Sequence, residues 1–174
     1  VADVPNVSYI NASQFRFSDG NGGGGEEFSY IGTMCPKTNT YQDFWRMVWE
    51  NNCKMVVMVC DFEEGGQRAC FKYWPMDEFT SHIFGILEVI YIEEEIHSEY
   101  VNTTIRLLNK VSQEVRVIHH YWFTEELPEL SNFDPTVSFS AEDVPFAFVN
   151  FVAMLRMRVP DSPGSIVVHC DLGV

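Results

Sequence analysis

With 174 residues, 46% of them hydrophobic and 14 of them phenylalanine, the chain has the material for one domain with a large core. Its 25 acidic residues outnumber 11 basic ones, for a net charge of −14. This excludes nucleic acid and an anionic membrane surface as natural partners, and it makes any anionic ligand depend on locally focused cations.

The start, V-A-D-V-P-N-V, carries no signal-peptide pattern, and no run of about 18 apolar residues exists to span a membrane. The five cysteines, Cys35, Cys53, Cys60, Cys70 and Cys170, are odd in number and form no Cys-x-x-Cys pair. Neither they nor the five histidines have zinc-site spacing, so no metal is expected. The cysteines are read as reduced thiols, hence a cytoplasmic protein without direct membrane contact.

In chain order, Val7 to Phe17 reads as an extended segment that runs into the glycine-rich loop of residues 18–27. Phe28 to Thr33 is the next strand. Pro36 to Thr40 makes a turn, with Thr40 as a candidate N-cap and Asp43 in the first turn of a helix over Tyr41 to Glu50. That helix sets Phe44, Met47 and Val48 on one face, with Trp45 and Trp49 adjoining. Lys54 to Cys60 is a nearly continuous apolar run, as in a strand buried on both faces.

Asp61 to Gln67 reads as a turn, and Arg68 to Tyr73 as a strand stopped by Trp74-Pro75. Ile86 to Ile92 is another strand, followed by Glu93-Glu94-Glu95 as a solvated turn or strand edge. Asn102 to Leu108 and Glu114 to Phe123 predict a hairpin around Asn109-Lys110-Val111-Ser112. Thr124 to Val144 has no sustained period and carries Glu125, Glu126, Glu129, Asp134, Glu142 and Asp143, which suits a functional or mobile loop. Pro145 opens a helix to about Arg158, with Phe148, Phe151, Val152 and Leu155 on one face. Pro160 to Gly164 leads back into a last strand.

That strand, Ser165-Ile166-Val167-Val168, is short, apolar and β-branched, and it ends in His169-Cys170 before the chain turns polar at Asp171. A strand that delivers a cysteine into a small-residue loop can build an anion-binding nucleophile. The N–H groups of such a loop converge on a phosphate, and the same field favours a thiolate. The plainer alternative is a buried structural cysteine at a strand end. The alternation of helix, loop, apolar strand and cysteine loop predicts an α/β fold with a mixed sheet, and it puts Cys170 outside the C-terminal end of a strand, where open α/β sheets bind ligands.

Several segments together resemble the protein-tyrosine phosphatases. Tyr9-Ile10-Asn11-Ala12-Ser13 matches that family's Tyr-Ile-Asn-Ala-Ser, and Tyr30-Ile31-Gly32-Thr33 with Pro36 is similar to its Tyr-Ile-Ala-Thr-Gln-Gly-Pro. Asp43-Phe44-Trp45-Arg46-Met47-Val48-Trp49-Glu50 is an unbroken match. Val56-Val57-Met58, Cys70 with Tyr73-Trp74-Pro75, and Val167-Val168-His169-Cys170 follow in order. The resemblance covers residues 1–174 as one partial domain.

It implies a phosphatase-II-like mixed twisted sheet flanked by helices, incomplete at both ends. It also implies cysteine-dependent hydrolysis of phosphotyrosine proteins without metal or other cofactor. Cys170 is the implied nucleophile, forming a phosphocysteine. His169, Asp171, Leu172, Gly173 and Val174 are the implied phosphate-loop positions, and a loop carboxylate is the implied acid.

The departures bear on activity. The arginine that closes the family's phosphate loop would lie beyond Val174, and the family's Lys-Asn-Arg-Tyr segment would precede Val1. Ser-Ala usually follows the nucleophile, whereas Asp171-Leu172 stand here, setting a negative charge against a phosphate dianion. The Trp-Pro-Asp of the acid loop is replaced after Phe123-Thr124 by Glu125-Glu126-Leu127-Pro128-Glu129. This leaves Glu129, which follows a proline, and Asp143, which precedes Val144-Pro145, as candidate acids, with Asp134 behind them. Two readings stand: a weak or inactive catalytic domain, or a non-catalytic pseudophosphatase module that binds partners or regulates a neighbouring phosphatase domain.

Overall fold

The apolar run that ends near Cys60 and the one that ends at Cys170 lie side by side in the middle of one sheet, as strands without a polar face must. The computed structural model describes residues 10–18, 27–64, 67–68, 70–78, 80–125, 144–159 and 164–171. Strands β1 (Ala12–Ser18) and β2 (Glu27–Met34) pair antiparallel, and helix α1 (Tyr41–Glu50) leads from β2 to β3 (Met55–Met58). A two-residue pair follows, β4 (Glu63–Glu64) with β5 (Gln67–Arg68). Then come β6 (Ser81–Phe84), β7 (Leu87–Ile96), β8 (Tyr100–Asn109) and β9 (Val115–Phe123). Helix α2 (Phe146–Arg158) returns the chain to β10 (Ser165–Cys170).

Among the described residues the main sheet runs β1-β2-β10-β3-β9-β8-β7-β6. Its centre is parallel: β10 lies between β2 and β3 with Val167 opposite Ile31 and Val56, and β3 lies parallel to β9 with Val57 opposite Tyr121. The flanks are antiparallel. The mixed α/β sheet expected from the sequence is therefore present.

Alternation sends the side chains to two cores. On the α1 face, Val56, Met58, Ile118 and Val167 pack with Phe44, Trp45 and Val48. On the α2 face, Met55, Val57, Tyr121, Phe123 and Ile166 pack with Phe151. Each fully buried aliphatic or Phe side chain contributes about 1.5–3 kcal/mol. The end of α1 is set by Asn52, whose φ of 50° allows the Cys53 amide to reach the Val48 carbonyl at 3.0 Å and the Asn52 amide to reach Trp49 at 3.1 Å. This is a Schellman turn with asparagine in the left-handed position. It aims the chain directly into β3.

Several expectations change. Thr40 stands at the N-cap of α1 but does not cap it; its hydroxyl accepts from the Lys37 amide at 2.9 Å. Arg68 to Tyr73 is not a continuous strand: among the described residues of that stretch only Arg68 is in a strand, β5, paired with β4. For Glu93 to Glu95 the strand-edge alternative holds and not the turn: they continue β7 as exposed residues, each opposite a residue of β8. On α2, Val152 is exposed while Phe151 is buried, with Phe148 and Leu155 beside it. Phe146, Val149 and Met157 are also exposed, so this helix is apolar around its circumference and its spacing could not choose a face.

Candidate active site

The parallel centre brings the C-terminal ends of β2, β3, β9 and β10 to one edge of the sheet, and Cys170 stands there. Its strand is gripped along its length. At the start, Ser165 Oγ is 2.9 Å from Ser29 Oγ. At the end, the Val59 amide donates to the His169 carbonyl at 3.0 Å and the Cys35 amide to the Cys170 carbonyl at 2.6 Å. A side chain at Gly164 would collide with the Asn52 backbone carbonyl, so the approach to β10 requires glycine there. Cys170 is a free thiol and half-buried, as is Asp171 next to it. Cys53 and Cys60 are buried and outside the disulfide, and burial pushes the Cys53 thiol up to about 12.

His169 does not face solvent. It is fully buried on the α1 face, edge-on to Phe44, with its Nε2 2.6 Å from the Tyr73 hydroxyl. The same hydroxyl is 2.7 Å from Nε2 of His120 on β9. One phenol thus bridges two imidazoles: it donates to one and accepts from the other, which fixes opposite tautomers at the two rings. Burial pushes His169 down to about 4, against a small opposing effect of the Cys170 backbone. Burial, then the neighbouring His169, pushes His120 well below the usual histidine range. Burial, then Cys60, pushes Tyr73 well above the usual phenol range. The bridge is therefore neutral in the folded protein. Tyr73 is itself held by the indole N–H of Trp45, which donates to its carbonyl at 3.0 Å.

The cysteines are not all reduced. Cys35, just after β2, and Cys70 form a disulfide with Cα atoms 5.7 Å apart. The fold brings together two positions 35 residues apart, a proximity that spacing alone could not reveal. Both sulfurs lie close to His169, the three potential ligand atoms falling within 4.8 Å of one another.

Of the residues singled out from the sequence, the structure brings together Cys170, His169 and Asp171. Leu172, Gly173, Val174, Glu129, Asp134 and Asp143 lie outside the described residues. Sequence reasoning missed Tyr73 and His120 as the supports of His169. The available signal was parity: His120 shares its β9 face with Ile118, just as His169 shares its β10 face with Val167. A cleft of about 530 Å³ lined by Lys54, Arg116, His119 and Arg158 lies at the opposite end of the parallel strands and plays no part in this edge. Among the described residues, no helix is long and apolar enough to cross a membrane.

Comparison with known proteins gives the arrangement its context. The protein-tyrosine phosphatase family model matches residues 2–174. Tyrosine-protein phosphatase non-receptor type 9 of Homo sapiens is 36% identical over 179 residues, covering 97% of this chain and 28% of that protein. Tyrosine-protein phosphatase 99A of Drosophila melanogaster is 33% identical over 169 residues, covering 97% of this chain and 12% of that protein. Tyrosine phosphatase H2 of Microplitis demolitor bracovirus is 31% identical over 180 residues, covering 99% of this chain and 50% of that protein. The chain thus spans about a quarter or less of the first two of these relatives and half of the third. With its sequence matched almost from end to end, and with a free cysteine at the end of the central parallel strand, the chain belongs to the protein-tyrosine phosphatase family.

Proposed function

We propose that this domain hydrolyses phosphotyrosine in proteins through Cys170, with low turnover. The observation that carries the reading is the placement of a half-exposed free thiol at the end of the buried strand β10, whose backbone is held on both sides. In the reaction the Cys170 sulfur attacks phosphorus while the bond from phosphorus to the tyrosine oxygen breaks. A carboxylic acid, Glu129 or Asp143, gives its proton to the leaving phenol. Water then attacks the phosphocysteine, giving a proton to the same carboxylate, and the phosphorus–sulfur bond breaks to release phosphate and regenerate the thiolate. The bridge of Tyr73 with His169 and His120 positions the strand and stays neutral throughout. The altered acid loop and Asp171 both support low turnover, since Asp171 sets a carboxylate next to the nucleophile that must approach a phosphate dianion.

Asp171 also favours a second reading, a non-catalytic module that engages a phosphotyrosine protein or a neighbouring phosphatase domain. The protein carrying this domain, expressed whole, separates the two when it is incubated with a phosphotyrosine peptide and phosphate release is followed. Release that disappears in Cys170→Ser supports the catalytic reading. Release that persists in Cys170→Ser removes Cys170 as nucleophile. Binding of the peptide without release establishes the module. In the catalytic case, Asp171→Ser raises the rate.

A further inference from the structure

We propose that Cys35, Cys70 and His169 form a zinc site that is closed when the two cysteines are joined and opens when they are reduced. The inference goes beyond the phosphatase reading and does not depend on it.

Four observations on this cluster point to a metal. First, the ligand atoms are already gathered: the three fall within 4.8 Å of one another, all on buried residues. Ligand atoms about 2.0–2.3 Å from a tetrahedral zinc are themselves roughly 3.5–4 Å apart, so opening the disulfide and turning the two side chains suffices to reach that spacing. Second, the histidine has a nitrogen to offer. Nε2 is committed to Tyr73, whereas Nδ1 is buried with only the Cys170 backbone near it and no well-formed hydrogen bond. A buried polar atom left in that state is costly, and a metal bond would satisfy it.

Third, the outer support that zinc-bound histidines need is in place. With Nδ1 on the metal, Nε2–H donates to the Tyr73 hydroxyl, which in turn donates to Nε2 of His120. That chain fixes the tautomer and the ring plane. Fourth, the charge suits a dry interior. Two thiolates balance a divalent ion and a metal-bound imidazole is neutral, so the loaded site carries no net charge. Two sulfurs and an imidazole select zinc or copper(I) over the oxygen-loving cations, and zinc fits the tetrahedral geometry with one position left for water.

The chemistry balances with a thiol reductant. Two equivalents of a small thiol give up two electrons and two protons to the disulfide, leaving two protein thiols and the oxidised small disulfide. Zinc then displaces both thiol protons, which leave to solvent. The site therefore responds to redox conditions and to zinc together. The amide of Cys35 donates to the carbonyl of Cys170, so a ligand residue of the site is bonded through its backbone to the residue that bears the free thiol.

Cobalt(II) is the probe, since it takes zinc's place and reports thiolate bonding through near-ultraviolet charge-transfer absorption. The whole chain is compared fully reduced, and with the disulfide intact, in the presence of cobalt and then of competing zinc. The expected result is about one equivalent of tightly held metal, with the thiolate band, in the reduced protein only. The band should vanish on reoxidation and on addition of zinc, and be absent from Cys35→Ser, Cys70→Ser and the double variant. The unmutated protein, switched between its two states, serves as a control that needs no variant to fold. The proposal is overturned by a reduced protein that shows no band. It is equally overturned by a band that survives in the double variant, which would assign it to Cys53, Cys60 or Cys170, or by equal binding in both states.

Discussion

The hydroxyl of Tyr73 lies 2.6 Å from Nε2 of His169, a hydrogen bond that joins residues 96 apart in the chain. Because the same hydroxyl serves His120, Tyr73→Phe strands two buried ring nitrogens at once. It is expected to lower stability by roughly 1–3 kcal/mol, the usual cost of leaving buried polar groups unpaired. Urea unfolding of the variant beside the parent checks this, and an unchanged midpoint would show that the bridge contributes nothing to the fold.

The depressed histidines predict an acid limb in stability. His169 takes a proton at about 4 in the folded chain and at 6.5 when unfolded. The unfolded state therefore binds the proton first as pH falls. The contribution is complete above pH 6.5 and is lost between 6.5 and about 4, amounting to about 3 kcal/mol for His169 alone. His120 acts in the same direction. Denaturant midpoints measured across that window should fall, and a flat profile between 6.5 and 5 would contradict neutral burial of the bridge.

Opening the Cys35–Cys70 disulfide releases a loop of sequence separation 35. In a chelator-containing buffer the reduced chain should be less stable by about 4 kcal/mol on the loop-entropy account. Thermal unfolding with and without reductant measures the difference, and equal melting temperatures would mean that the linkage does not constrain the unfolded chain.

Of the three cysteines outside the disulfide, only Cys170 is partly exposed. Brief alkylation of the folded protein should therefore label Cys170 well ahead of Cys53 and Cys60. The Cys53 thiol is doubly protected, by burial and by a pKa raised to about 12. Peptide mass spectrometry reads the sites. Labelling of Cys53 at a rate like that of Cys170 would contradict the packing of the α1 end against β3.

How far the sequence reached depended on the kind of signal. Helix α1 was legible to the residue, because Phe44, Met47 and Val48 repeat with the helical period between a turn and two asparagines. The hairpin of β8 and β9 was legible through Asn109, whose Oδ1 accepts from the Val111 and Ser112 amides in the turn. Strand β6 was missed. It is four residues of mixed polarity whose one marker is Gly85, at φ 62° in the turn into β7. The position of Cys170 could be read from the apolar run before it. The support beneath it could not, since Tyr73 and the disulfide reach His169 from segments outside the sheet and His120 from a strand two places away, contacts that leave no local pattern.

Strand β10 also constrains the order of assembly. It follows both β2 and β3 in sequence, yet it must enter between them, and its first residue meets Ser29 across 136 positions. Until it arrives, β2 and β3 present facing rows of unpaired amides and carbonyls around an empty slot. Contacts of such long range are slow to form, and open strand edges recruit other chains. The strand that presents the thiol is thus also the keystone of folding, and substitutions along Ile166 to Val168 should reduce the yield of soluble protein before they alter anything at Cys170.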